Sequence, residues 1–131
     1  MKLLLDTHVW IWSHIQPKRL RPKVAAALES AENELWLSPI SVWEFLLLVE
    51  RGRLVLTIEP EVWLARAWAR APMHDATLTR EVARRSRTIS LAHQDPADRF
   101  LAATAAVHEL TLVTDGEHLL KGRGYAKMAN R

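Results

Sequence analysis

Cysteine is absent from this 131-residue sequence, which excludes disulfide scaffolds, zinc knuckles, thiol catalysis and iron–sulfur clusters together. Glycine (4 residues) and proline (6) are too few for a low-complexity or disordered chain. Long apolar runs are missing as well. Those present, such as Phe45 to Val49 and Leu3 to Leu5, fall far short of the roughly 18 residues that cross a bilayer. No stretch has a signal-peptide layout, so the expectation is a cytoplasmic protein without a membrane partner. What is present, 49% hydrophobic and 25% charged residues, suits one domain spanning 1–131 around one core. Lys and Arg (18) exceed Asp and Glu (15), for a net charge of +3, and the pI near 9.7 favours a polyanionic partner.

Strand and helix signals alternate along the chain. Leu3-Leu4-Leu5 reads as a buried strand ending in Asp6, and a helical turn follows over Thr7–His14 until Pro17. Pro22 opens a helix to about Ala31, with Val24, Leu28 and Ala31 on one face, and Leu35–Leu37 reads as a second strand. Ser38 or Pro39 starts an apolar helix through Val49 and Glu50, which Gly52 ends. Pro60 begins a helix carrying Val62, Trp63, Ala67 and Ala71, stopped by Pro72, and Thr77 or Thr79 caps another through Arg87. Thr88–Leu91 reads as a strand. Asp95-Pro96 opens a helix to about His108, Thr111–Thr114 is a strand, and Asp115–Lys121 a turn or short helix. The alternation predicts an α/β fold whose mostly parallel sheet is covered on both faces.

Acids occupy positions where acids are expensive. Asp6 and Asp115 each directly follow a strand, and in an open parallel sheet the carboxyl ends of strands form the ligand crevice. Glu44 is the only charge between Pro39 and Val49 and falls with Ile40 and Trp43 on an expected core-facing stripe. Asp98 shares a face with Leu101, Ala102 and Ala105. Crowded carboxylates repel one another unless compensated. With no cysteine and scattered histidines, an oxygen-rich set suits Mg²⁺ or Mn²⁺, ions that polarise a phosphoryl oxygen and activate water. An acidic centre in a basic surface outlines a nuclease. Each acid also has a plainer reading: Asp95 as a helix cap, Asp6 and Asp115-Gly116 as turn formers, Glu44 as half of a buried ion pair.

Four segments carry a resemblance. Leu3-Leu4-Leu5-Asp6-Thr7-His8-Val9-Trp10, Ser38-Pro39-Ile40-Ser41-Val42-Trp43-Glu44, His93-Gln94-Asp95-Pro96-Ala97-Asp98-Arg99 and Leu112-Val113-Thr114-Asp115 together resemble the PIN-domain ribonucleases, within them the VapC-type toxins of toxin–antitoxin pairs. The resemblance implies a PIN-like three-layer α/β/α fold and a Mg²⁺- or Mn²⁺-dependent endoribonuclease leaving 5′-phosphate and 3′-hydroxyl ends. It further implies an RNA substrate, a cognate antitoxin and a homodimer. Asp6, Glu44, Asp98 and Asp115 would be the catalytic acids, with Asp6 and Asp98 holding the metal. Thr7, Asp95, Thr114 and Glu117 would be supporting residues. The family's fourth acid usually stands two residues after the threonine, where this chain has Gly116. Asp115 is one residue early and Glu117 one late, and Asp115 is preferred because Gly116 frees the backbone to redirect it.

Outside those motifs, His8, His93 and His118 read as structural or phosphate-contacting. The six tryptophans are too many for a base-stacking platform and read mainly as core or partner interface. Trp63, Leu64 and Trp68 offer a helix-in-groove surface for an antitoxin peptide. Basic clusters at Lys18-Arg19-Arg21-Lys23, Arg80-Arg84-Arg85-Arg87 and Lys121-Arg123-Lys127-Arg131 offer phosphate contacts. A PIN-like domain that binds RNA or a partner without cutting is the alternative, and a DNA nuclease ranks below both.

Overall fold

The computed structural model describes residues 1–131. In chain order it contains β1 (Lys2–Leu5), α1 (Thr7–Ile15), a 3-10 turn (Pro17–Arg19), α2 (Pro22–Glu29), β2 (Glu34–Leu37), α3 (Pro39–Glu50), α4 (Pro60–Arg70), β3 (His74–Asp75), α5 (Arg80–Thr88), α6 (Pro96–Val107), β4 (Thr111–Thr114), α7 (Glu117–Lys121) and β5 (Ala126–Ala129). The five strands form one sheet in the order β3-β2-β1-β4-β5, parallel at every pairing.

Strand side chains alternate between faces, so the uninterrupted leucines of β1 serve two cores. Leu3 and Leu5 join Val9, Trp10, Ile11, Val24, Phe45 and Leu64 under α1 to α4. Leu4 joins Leu101, Ala102, Ala105, Leu112 and Leu119 under α6 and α7. The result is a three-layer α/β/α domain. Trp10, with no exposed surface, stacks on Trp68 and meets Phe45 and Trp63 edge-on.

Several expectations are corrected. Thr88–Leu91 is not a strand: Thr88 ends α5, and Ser90 alone bridges to Arg123. Ile89 and Leu91 are buried as alternation requires, but their carbonyls accept from the Arg99 guanidinium instead of a neighbouring strand. Helix α2 stops at Glu29, so Ala31 lies beyond it. On α4 the buried residues are Leu64 and Ala67 while Val62 is exposed. Trp63 packs against Phe45 with ring centroids 4.5 Å apart, leaving Trp68 as the exposed ring of that helix. The edge strands β3 and β5 carry no apolar run of their own and form because β2 and β4 offer them unpaired backbone.

Candidate functional site

Strand order reverses direction about β1 and β4, and at such a switch point the loops leaving neighbouring strands part and open a crevice. Leu5 stands opposite Val113, which sets Asp6 beside Thr114 at the carboxyl edge. The Asp6 amide donates to the Val113 carbonyl at 3.0 Å, continuing the ladder one step. Asp6 is the N-cap residue of α1, yet its carboxylate makes no capping hydrogen bond to that helix. It accepts instead from the Thr114 hydroxyl at 2.6 Å, which in turn accepts from the Gly116 amide at 2.9 Å. A carboxylate that does not cap its own helix is free for other chemistry.

The two other caps in this region behave differently. Ser38 accepts from the Ile40 amide and starts α3, and Asp95 accepts from the Asp98 amide at 3.0 Å and starts α6. The capping reading of Asp95 therefore holds, while its carboxylate still faces the other acids. On α3 the buried residues are Ser41 and Phe45, and Trp43 is 54% exposed, so the expected core-facing stripe through Ile40, Trp43 and Glu44 is corrected. At 100° per residue the helix turns Glu44 toward α1 and Trp43 away. Thr7 Oγ1 lies 2.5 Å from Glu44 Oε1 and 2.9 Å from Ser41 Oγ; the carboxylate only accepts, so the Thr7 hydroxyl donates to it. Thr7 and Thr114 thus each hold one acid.

Electrostatics ties the acids into one group. Burial raises the proton affinity of Asp6 and Glu44 above the usual carboxylate range, the threonine hydrogen bonds oppose that, and neighbouring acids add to it. Asp98 is pushed up to about 7, first by burial and then by the charges of Asp6, Asp95 and Glu44. Asp115 is near enough to raise Asp6 further. No cation of the chain closes an ion pair with Asp6 or Glu44, though His8 is near enough to offset part of the rise in both, and His93 Nε2 is 3.4 Å from Asp98 Oδ2. His93, Asp95 and Asp98 offer ligand atoms within 4.8 Å of one another, and the His93 ring stacks on His118 at 4.3 Å. Asp6 and Glu44 act on this group through their charges, and the ligand atoms that lie within metal-binding reach of one another belong to His93, Asp95 and Asp98.

Asp115 and Glu117 separate clearly. Asp115 is half-buried and walls a cavity with Trp12, Lys18, Arg19 and Arg21. Glu117 is exposed and paired with Lys121 at 2.9 Å, a contact along one helix. A Cβ at Gly116 would stand 3.3 Å from Thr114 Oγ1. Two residues escaped the sequence reading. Arg99, 5% exposed, donates to the carbonyls of Ser86, Ile89, Leu91 and His93 and so fixes the segment leading into α6. Its place beside Asp98 in the third motif was the available signal. Asn130 accepts from the Arg21 amide and donates to the Arg19 carbonyl, tying the basic loop to the sheet edge, and nothing local foretold it.

Fold and site together define a parallel α/β domain with an acidic crevice at its switch point. The chain belongs to the PIN-domain family, whose model matches residues 3–124. It is 34% identical over 122 residues to Ribonuclease VapC22 of Mycobacterium tuberculosis, covering 92% of each chain. Its fold is similar to a chain in the crystal structure of VapBC2 from Rickettsia felis bound to a promoter DNA fragment (TM-score 0.70, 14% identity, 98% of each chain). It is also similar to a chain in that of FitAcB from Neisseria gonorrhoeae (TM-score 0.63, 25% identity, 96% of each chain).

Proposed function

We propose that this protein is the toxin of a toxin–antitoxin pair, a metal-dependent endoribonuclease acting in the cytoplasm. The observation that carries the reading is the grouping of Asp6, Glu44 and Asp98, each raised in part by its acidic neighbours and none within 4.0 Å of a lysine or arginine, in a chain 34% identical to a ribonuclease. The donor set is oxygen-rich, which fits Mg²⁺ or Mn²⁺. Asp6 and Asp98 would hold the ion, which when bound polarises the scissile phosphoryl oxygen and activates a water.

The chain's own residues then have distinct tasks. Thr114 orients the Asp6 carboxylate through one oxygen and leaves the other to the crevice. Thr7 does the same for Glu44, whose raised proton affinity suits it to take up the proton of the attacking water at Oε2. Asp95 holds the first turn of α6 and thereby the position of Asp98. Asp115 supports the centre from the β4 side, and Glu117 takes no part. A cognate antitoxin is supported by the likeness to chains in the VapBC2 and FitAcB structures, and a homodimer is what the family resemblance implies. No helix is long and apolar enough to cross a membrane.

Cleavage of RNA that requires Mn²⁺ or Mg²⁺ and is lost in Asp6→Asn tests the reading; an unchanged rate in that variant refutes it. Gly116, where the family's fourth acid usually stands, favours the non-cleaving alternative. Under that alternative Mn²⁺ leaves the thermal stability of the protein unchanged.

A further inference from the structure

A cavity of about 420 Å³ opens beside the acidic centre, with His8, Glu44 and Asp95 in its lining. The same lining holds groups of another character: Trp43, Arg51 and Arg53. Trp43, Leu47 and Arg51 follow at four-residue steps, and Glu44 and Leu48 form the adjacent row, so one face of α3 runs from acid to aliphatic floor to cation. The helix then ends in a Schellman turn. Gly52, at φ 70°, donates to Val49 O and the Arg53 amide donates to Leu48 O, which folds Arg53 back alongside Arg51. Neither guanidinium has a carboxylate within 4.0 Å.

We infer that this cavity is a nucleotide subsite in which an unpaired base of single-stranded RNA stacks on Trp43 while Arg51 and Arg53 hold the adjoining phosphate. The inference rests on the proposed RNA cleavage and specifies the strand it acts on. A tryptophan more than half exposed beside two unpaired arginines leaves its apolar ring in water without structural return. Every base has a π-face that such a ring accepts, and a duplex cannot present one, because its bases are already stacked. The acids of the lining repel phosphate and the arginines, at the C-terminal end of α3, attract it. That asymmetry orients the strand with one phosphate at the arginines and the next at the metal-binding carboxylates.

Binding of a fluorescein-labelled mixed-sequence single strand, and of the same strand annealed to its complement, is measured by anisotropy in the Asp6→Asn background, where cutting is blocked. Trp43→Ala is expected to weaken single-strand binding about tenfold and Trp43→Phe by much less, given roughly 1–3 kcal/mol per stacked base. Duplex binding should be weaker and indifferent to Trp43. Arg51→Ala and Arg53→Ala should each lower the slope of log affinity against log salt by about one. Gly52→Ala, strained at positive φ, should act like Arg53→Ala. In the cutting-competent protein Trp43→Ala should raise KM and leave kcat within about twofold, with the Mn²⁺-induced thermal shift of the parent as the control for fold. Equal loss on both strands, or none, overturns the subsite, as does lost inhibition by a protein partner with unchanged RNA affinity. A wild-type protein that cuts while Trp43→Ala keeps its KM sinks the subsite alone. A protein that binds through Trp43 but never cuts sinks the nuclease reading alone.

Discussion

Asp98 and Arg99 are consecutive residues of α6, both withdrawn from bulk water, in opposite conditions. Arg99 is answered by four carbonyl oxygens of the chain itself. Asp98 faces Asp6, Asp95 and Glu44, and its carboxyl is driven up to about 7. A buried charge that the fold satisfies stabilises the fold; a carboxylate that the fold leaves repelled takes up a proton or a counter-ion. The difference separates structure from function within one helical turn.

Breaking the satisfied side has the largest effect. Arg99→Ala leaves several buried carbonyls without a donor and should cost about 3–5 kcal/mol, read as the urea midpoint of unfolding. Arg99→Lys keeps the charge but cannot fork to all four carbonyls, and should fall between. On the repelled side, Asp6→Asn should lower RNA cleavage at saturating Mn²⁺ by about a hundredfold or more without a comparable loss of stability.

Asp98→Asn should stabilise the metal-free protein. The folded-state pKa lies above the unfolded value of 3.8, so ionisation opposes folding: the stability is fully present below about pH 4 and is lost as pH rises through 7. The gain of the variant over wild type should grow across that window to about 2 kcal/mol, less than the full linkage because the group is partly in water. Unfolding measured between pH 4 and 8 checks the sign; a constant difference contradicts it. Mn²⁺ should reverse the ranking, adding about 2.7 kcal/mol to the wild type at a hundred times Kd and little to Asp98→Asn. The smallest effect belongs to Glu117→Gln, within about 0.5 kcal/mol and without change in cleavage. Asp115→Asn should slow cleavage, and equal full activity in both variants would remove the fourth acid altogether.

Local signals served best where one residue decides the backbone. Pro22, Pro39, Pro60 and Pro96 open helices as expected, Ser38, Thr79 and Asp95 cap them, and Gly52 ends α3 at positive φ. Leu3 to Leu5 and Thr111 to Thr114 announced central strands by their apolar run, and β3 and β5 were silent because an edge strand is made by its neighbour's backbone. The segment 88–91 misled because two buried residues two apart imply a strand only if another strand pairs with them, and here a side chain did. Trp43 misled in the opposite direction, since a tryptophan in an apolar helix reads as core until the rotation of that helix is known.

From sequence alone followed the class of fold, the ends of most helices, and the candidate acids, because strand-end carboxylates and isolated charges in apolar helices are improbable without a purpose. Only the tertiary structure decided which side chain meets which. Thr7 reaching Glu44 across 37 positions and Thr114 reaching Asp6 across 108 are set by strand register and helix rotation. Likewise the half-burial of Asp115, the pairing of exposed Glu117 with Lys121, and the exposure of Trp43 depend on directions in space. A linear pattern records which residues are costly, and packing alone determines what they face.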